Sequence, residues 1–275
     1  MAKIDEAALA EAYNRALKLE KAGDHDAAAA AYQKVLALDP EDHGGVAVRL
    51  ASLGRGGTPQ RAPEAYVTTL FDQHAEVFDK VLVEDLGYHV PLLLRQRLLD
   101  LGLGPFDRLL DLGCGTGLTG GALEDMADDV TGVDLAENMV EIAHEKGLYD
   151  TLYVAEAVDY LEDNDDEPFD LIAATDVLPY LGDLTPLCRA AAANCRPGAL
   201  FAFSSETLPD NVMQGRAFMV GPFQRFAHAS TYVEQQLAAA GFALLEAGDI
   251  IVRYEQGQPI AGHLYLARFT GPDAA

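Results

Sequence analysis

The chain has 275 residues, 49% hydrophobic and 23% charged, and its 44 Asp and Glu against 19 Lys and Arg give a formal net charge of −25. That composition can bury a core without disulfide or metal staples. The acidic balance excludes nucleic acid and an anionic membrane surface as partners, because both need clustered Lys and Arg. No apolar run reaches the roughly 18 residues that span a bilayer, and the N-terminus lacks a signal-peptide core, so a cytoplasmic location is expected. Cys114, Cys188 and Cys195 form no CxxC pair and the histidines show no paired ligand spacing, so no metal is expected.

Residues 5–21 and 25–38 carry the period of two amphipathic helices, broken at Gly23, with Asp24 placed to cap the second. Ala16, Gly23, Ala28, Tyr32 and Pro40 fall at the spacings of a tetratricopeptide (TPR) repeat. A single copy cannot build the concave groove of an array. Residues 1–56 are therefore expected to form an all-α, TPR-like module packed on the domain that follows, with recruitment of a protein partner as the alternative. GRGGTPQRA at 54–62 has the composition of a linker. A helical stretch through AYVTTLFDQHAEVFDKVL and another over about 89–102 complete a segment, 57–105, expected to be linker and helical lid. In it Tyr66, Phe71, His74 and Phe78 share one face.

From Arg108 the pattern alternates. RLLDLG, DVTGVDL, TLYVAEA, FDLIAATDVL and ALFAFSSE read as strands with helices between them. ALLEAGDIIVRYE and GHLYLARF follow, joined around Gly257-Gln258-Pro259. Alternation predicts parallel βαβ units, and the short last connection predicts an antiparallel pair. The expected fold over 106–270 is α/β, a Rossmann-like doubly wound sheet of about seven strands with the last strand antiparallel.

The central motif is Asp111-Leu-Gly113-Cys114-Gly115-Thr-Gly117, at the end of a strand and before a helix. Glycines there allow a tight turn and close approach of the backbone to a ligand. Gly115-x-Gly117-x-x-Gly120, with Asp134 19 residues after Gly115, also fits a dinucleotide fingerprint. Asp111 separates the two readings: an acid before the first glycine suits a cationic ligand and repels a pyrophosphate. Asp111, Asp134, Glu156 and Asp176 all stand at strand ends, where open α/β sheets bind ligands.

On these residues, roughly 106–270 resemble the class I S-adenosylmethionine-dependent methyltransferases. DLGCGTG resembles the family's first motif. GVDLAENMV resembles the second, which implies Asp134 on the ribose hydroxyls with Leu135 and Met139 near the adenine. VAEAVDYL resembles the third, with Glu156-Ala157 where the family usually has an aspartate, so the adenine amino contact falls to a longer side chain. FDLIAATDVLPYLGDL resembles the fourth and brings Thr175, Asp176 and Tyr180 to the mouth of the site. The resemblance implies that Tyr66 and Phe71 close over the methionine end. The whole chain is similar to a narrower bacterial group of methyltransferases carrying a TPR repeat, on Asp39-Pro40, LASLG at 50–54, AYVTTLFDQHAEVFD and RFAHASTYV.

The expected function is methyl transfer from S-adenosylmethionine to a small-molecule acceptor, acidic or hydroxylated, through an O, N or S nucleophile. Arg225 is expected to clamp an acceptor carboxylate, His228 to act as general base, and Tyr180 and Arg253 to contribute to acceptor binding and catalysis. The alternatives are an adaptor or sensor that binds the cofactor without turnover, a protein methyltransferase recruiting its substrate through the repeat, and a dinucleotide-dependent oxidoreductase.

Overall fold

The computed structural model describes residues 5–271; the first four residues of the expected N-terminal module lie outside them. Helices α1 (Glu6–Lys21) and α2 (His25–Leu38) form a hairpin. Each starts on an aspartate that accepts a backbone N–H the helix leaves unpaired, Asp5 from Ala8 and Asp24 from Ala27, both at 3.1 Å. Ala16, Ala28, Ala31 and Tyr32 fill the seam together with Val46 and Leu50 of α3 (Val46–Ser52). The Tyr32 hydroxyl donates to Glu20 at 2.5 Å, and Glu20 pairs with Arg49 at 3.0 Å. The hairpin is thereby tied to α3.

Helix α4 (Glu64–His74) stops short of the continuous helix its period predicts. A tight turn over Ala75–Val77 and a wide one over Lys80–Asp85, closed by Leu86 N–H on the Val81 carbonyl, carry the chain on. Then α5 (Val90–Asp100) buries Val90, Leu94 and Leu98 against the sheet.

The alternating region follows the predicted order: β1 (Phe106–Leu112), α6 (Leu118–Leu123), β2 (Ala127–Asp134), α7 (Glu137–Lys146), β3 (Thr151–Val154), α8 (Ala157–Asp163), β4 (Phe169–Ala174), α9 (Thr185–Ala193) and β5 (Cys195–Glu206). These strands pair in parallel in the order β3-β2-β1-β4-β5. After α10 (Asp210–Met213) come β6 (Phe218–Val220), β7 (Phe226–His228), α11 (Ser230–Ala239), β8 (Phe242–Glu255) and β9 (Gln258–Phe269). Strand β9 lies antiparallel between β5 and β8, as expected of the last strand. Its turn from β8 has Gln256 at φ 51° and Gly257 at φ 76°, the backbone that matches hairpin twist.

The sheet has nine strands where about seven were expected. The excess is the β6–β7 hairpin, joined to β5 through the single pair Glu206–Ala227. Three residues are too few to show a strand period. The core lies on both faces of the sheet. Leu110, Leu112, Ile172 and Phe201 pack on one side, and Leu109, Leu171, Ala173 and Leu200 on the other, which is why these strands read as unbroken apolar runs. No helix among the described residues is long and apolar enough to cross a membrane.

Candidate active site

The loop after β1 is shaped by what surrounds it. Gly113 has φ 65°, and a Cβ there would stand 2.4 Å from the Val177 side chain, so no larger residue fits. The loop is laced to the end of β2: the Cys114 N–H reaches the Val133 carbonyl at 3.0 Å, and Asp134 accepts from Gly115 N–H at 2.8 Å and Ala136 N–H at 2.9 Å. Burial pushes the Asp134 carboxyl up, and these donors oppose it. Each carboxylate oxygen retains accepting capacity.

A cleft opens over the carboxyl ends of β1, β2 and β4. Of the sequence-predicted residues it is lined by Phe71, Gly113, Cys114, Gly115, Asp134, Leu135, Glu156, Ala157, Thr175, Asp176 and Tyr180. Glu156 caps α8, accepting from Val158 N–H at 2.7 Å and Asp159 N–H at 2.9 Å through one oxygen. Burial raises its pKa, against those N–H groups and Arg61. Burial also pushes the Cys114 thiol well up, leaving it an uncharged wall.

The segment running from α4 to the start of α5 covers this cleft. Phe71 packs edge-on against Phe78 at 5.8 Å and Tyr180 at 5.3 Å between ring centres. Polar contacts fasten it down. Asp72 accepts from Asn138 N–H at 3.0 Å, and Asp79 takes Lys146 at 2.6 Å as well as the Thr116 hydroxyl.

Four residues expected on the cofactor do not line the cleft. Asp111 lies fully buried beneath the loop, where it accepts from the Tyr149 hydroxyl at 2.7 Å and burial raises its pKa to about 7. Gly117 starts α6 with its open side toward Leu148 and Tyr149. Met139, on the inward face of α7, is buried with Ala75 and Ala136. Tyr66 turns toward α3, its ring against Gly45.

His228 is corrected outright as a general base. It is fully buried in β7, and its Nε2 is bonded to the Leu181 carbonyl at 2.9 Å and the Gly182 carbonyl at 3.2 Å. A carbonyl only accepts, so Nε2 carries the proton. Burial holds the pKa down at about 4, and His228 lines neither this cleft nor the second one described below.

Arg225, Arg253 and Tyr180 do come together, in a second cleft shared with Asp176, Glu255, His74 and the apolar side chains of 70–86. Arg253 is 2% exposed and grips both Asp176 oxygens, at 2.8 and 2.9 Å, with Glu206 and Glu255 on its other nitrogens. Burial works against its charge, but the acids outweigh burial and its pKa is raised. Arg225 is held by Glu206 at 3.1 Å and by Glu255. The free guanidinium expected for a carboxylate clamp is therefore already engaged. Burial raises the Tyr180 phenol.

Sequence reasoning missed Arg61, Glu64, Val67, Leu82, Tyr88 and Val177 along the first cleft. The apolar run VLVEDLGY at 81–88 carried a signal of a buried wall in its Leu82 and Tyr88.

Residues 86–247 match the model of a methyltransferase domain family. The chain is 35% identical over 101 residues to a protein named ubiquinone biosynthesis O-methyltransferase from Bordetella avium, covering 36% of this chain and 42% of that one. It spans less than half the length of the curated relatives it matches. Among solved structures, an S-adenosylmethionine-dependent methyltransferase from Clostridium acetobutylicum superimposes with TM-score 0.55 at 19% identity, over 74% of this chain and 100% of that one. The [4+2]-cyclase SpnF superimposes with TM-score 0.60 at 17% identity, over 77% and 98%. At these identities the structures share the fold.

Proposed function

The chain belongs to the methyltransferase domain family, and from that premise we propose that it moves a methyl group from S-adenosylmethionine to a small-molecule acceptor bearing a hydroxyl, amine or thiol. One observation carries the reading. Phe71, Phe78, Leu82, Asp176 and Tyr180 line both clefts, so one wall separates a cofactor-type cleft from a second opening.

The residues of the first cleft fit the cofactor chemically. Asp134 and Glu156 offer carboxylate oxygens to ribose hydroxyls and an amino group, and Gly113 and Gly115 leave the backbone bare for close approach. Leu135, Ala157 and Val133 supply apolar walls for a purine. Arg61 is the one Lys or Arg in the lining. When bound, S-adenosylmethionine supplies an electrophilic methyl group on a sulfonium.

The chain's own residues orient and dehydrate. Phe71 and Phe78 exclude water from the shared wall and present ring faces that tolerate a cation. Tyr180, its phenol kept protonated by burial, can hold an acceptor by hydrogen bonding and cannot remove its proton. Arg253 fixes the Asp176 carboxylate at the boundary between the clefts.

Residues 1–56 read as a single TPR-like module, supported by Ala16, Ala28 and Tyr32 in the α1–α2 seam, with 57–105 as linker and lid and 106–270 as the methyltransferase domain. Calorimetric titration tests the reading: S-adenosylhomocysteine should bind and NAD should not. Methyl release across metabolite pools should then identify an acceptor. Binding of NAD alone would overturn the proposal, and cofactor binding with no turnover on any pool would favour a sensor.

A further inference from the structure

We propose that the second cleft is built for an acceptor with an apolar body and a hydrogen-bond-donating end, a hydroxyl or an ammonium, and that it rejects carboxylates and phosphates; this rests on the methyltransferase reading of the two clefts. The polar end of the cleft belongs to a cluster of two guanidiniums, Arg225 and Arg253, and three carboxylates, Asp176 and Glu255 in the lining and the buried Glu206 outside it. Its formal charge is negative by one. Arg253 has an acid on each of its three nitrogens and Arg225 pairs with Glu206 and Glu255, so an incoming anion would meet a surplus of like charge and compete with acids already in place. A donor meets the opposite situation. Glu255 uses Oε1 for both arginines, taking Arg253 Nε at 3.2 Å. Among the described residues nothing is bonded to Glu255 Oε2, which stands free in a residue that lines the cleft. His74 is the only other ionisable cation-forming side chain in that lining.

Most of the remaining lining is apolar. Leu70, Val77, Val81 and Leu86 contribute to it, with Val77 49% and Val81 39% exposed. An acceptor that covers these valines with hydrocarbon and offers a donor to Glu255 Oε2 satisfies both halves of the cleft.

The test compares three probes with one apolar body: 4-phenylbutylamine, 4-phenylbutanol and 4-phenylbutyrate. Each is titrated calorimetrically into full-length protein saturated with S-adenosylhomocysteine, which occupies the first cleft. The amine and the alcohol should bind at least tenfold more tightly than the butyrate, with intermolecular NMR contacts to the Val77 and Val81 methyls. Glu255→Gln should narrow the gap between amine and butyrate several-fold. Butyrate binding as tightly as the amine, no measurable binding of any probe, or contacts elsewhere than the valines would each overturn the inference. Failure of S-adenosylhomocysteine to bind would overturn the methyltransferase reading with it. Cofactor binding combined with a preference for butyrate would overturn this inference alone.

Discussion

Asp134 at the end of β2 holds the backbone N–H of Gly115 at 2.8 Å, so one carboxylate both shapes the glycine loop and faces the cleft that loop borders. Asp134→Ala should therefore act twice. Losing a charge-assisted hydrogen bond to a ribose costs about 1.5–3 kcal/mol, roughly tenfold to a hundredfold in S-adenosylhomocysteine affinity. The freed loop N–H groups should lower stability by about 1–3 kcal/mol in urea. Turnover at saturating cofactor should change less than affinity, because ribose contacts persist unchanged into the transition state. A folded variant with unaltered affinity would remove Asp134 from the cofactor site.

His228 is predicted to matter for stability and not for turnover. His228→Ala removes the bonds to the Leu181 and Gly182 carbonyls and leaves a hole in the core, at a cost of about 2–4 kcal/mol. The pH dependence gives a sharper check. Burial depresses the folded pKa to about 4, against about 6.5 unfolded. The unfolded chain thus takes up a proton first as pH falls. This contribution is complete above about pH 6.5 and is lost toward pH 4, by about 3 kcal/mol in all. His228→Gln should flatten that part of the urea-stability profile. A drop in turnover at constant stability would contradict the structural role.

Asp111 carries the opposite sign. Burial raises its folded pKa to about 7 from an ordinary value near 4. The native state then holds a proton that the unfolded state has released. Its contribution is complete below about pH 4 and is lost as pH rises through 7, by up to about 4 kcal/mol. Asp111→Asn keeps an oxygen for the Tyr149 hydroxyl and has no proton to lose. Relative to wild type, the variant should gain stability between pH 5 and pH 8, read by chemical denaturation at each pH. A constant difference across that range would mean that Asp111 is not buried as an acid.

The contrast between Asp134 and His228 shows what a sequence exposes. The acids at the ends of β2 and β4 were legible because an apolar run that stops at a polar residue marks the rim of a parallel sheet. The glycine loop was legible because three glycines in five residues demand a special backbone. His228 looked like a loop residue because β6 and β7 are too short to show a period, and its burial comes from a pairing with β5 that only the folded chain makes. Tyr66 and Phe71 lie on one helix, yet Phe71 faces the cleft and Tyr66 faces α3. That choice was set by packing against Gly45 and α3, a tertiary contact the helical period does not encode. Arg225 and Arg253 were found as charges, while the acids that neutralise them come from three other positions along the chain.

Arg253 should be among the costliest residues to remove. It is 2% exposed and bonds Asp176, Glu206 and Glu255 together. Arg253→Met leaves Glu206 and Glu255 to Arg225 and strips Asp176 of its ion-pair partner, which should cost about 3–5 kcal/mol. Arg253→Lys keeps the charge, but one ammonium cannot reproduce a planar five-donor fork, so an intermediate loss is expected. Adding Glu206→Gln to Arg253→Met should recover part of the loss. No recovery in the double variant would mean that packing, and not the uncompensated charge, sets the cost.

A boundary of the N-terminal module at residue 56 suits the linker composition, but it cuts through packed surface. Val48 and Ala51 of α3 lie in one cluster with Ala62, Tyr66, Val220 and Phe226. Gly45 sits so close to the Tyr66 ring that an added Cβ would come within 2.6 Å. Deleting residues 1–56 therefore strips cover from the start of the lid and from the β6–β7 hairpin. Full exposure of even two such apolar side chains costs at least about 3 kcal/mol. Deleting only residues 1–38 keeps α3 on the lid and uncovers Val46 and Leu50 alone among the buried side chains of that cluster's α3 portion. The shorter deletion should retain S-adenosylhomocysteine affinity within about threefold and lose less in melting temperature than the longer one. Thermal unfolding and cofactor titration of the two truncations side by side decide the matter. If the 57–275 fragment melts with the full chain, α3 belongs to an independent module; if it melts well below the 39–275 fragment, α3 is part of the catalytic fold.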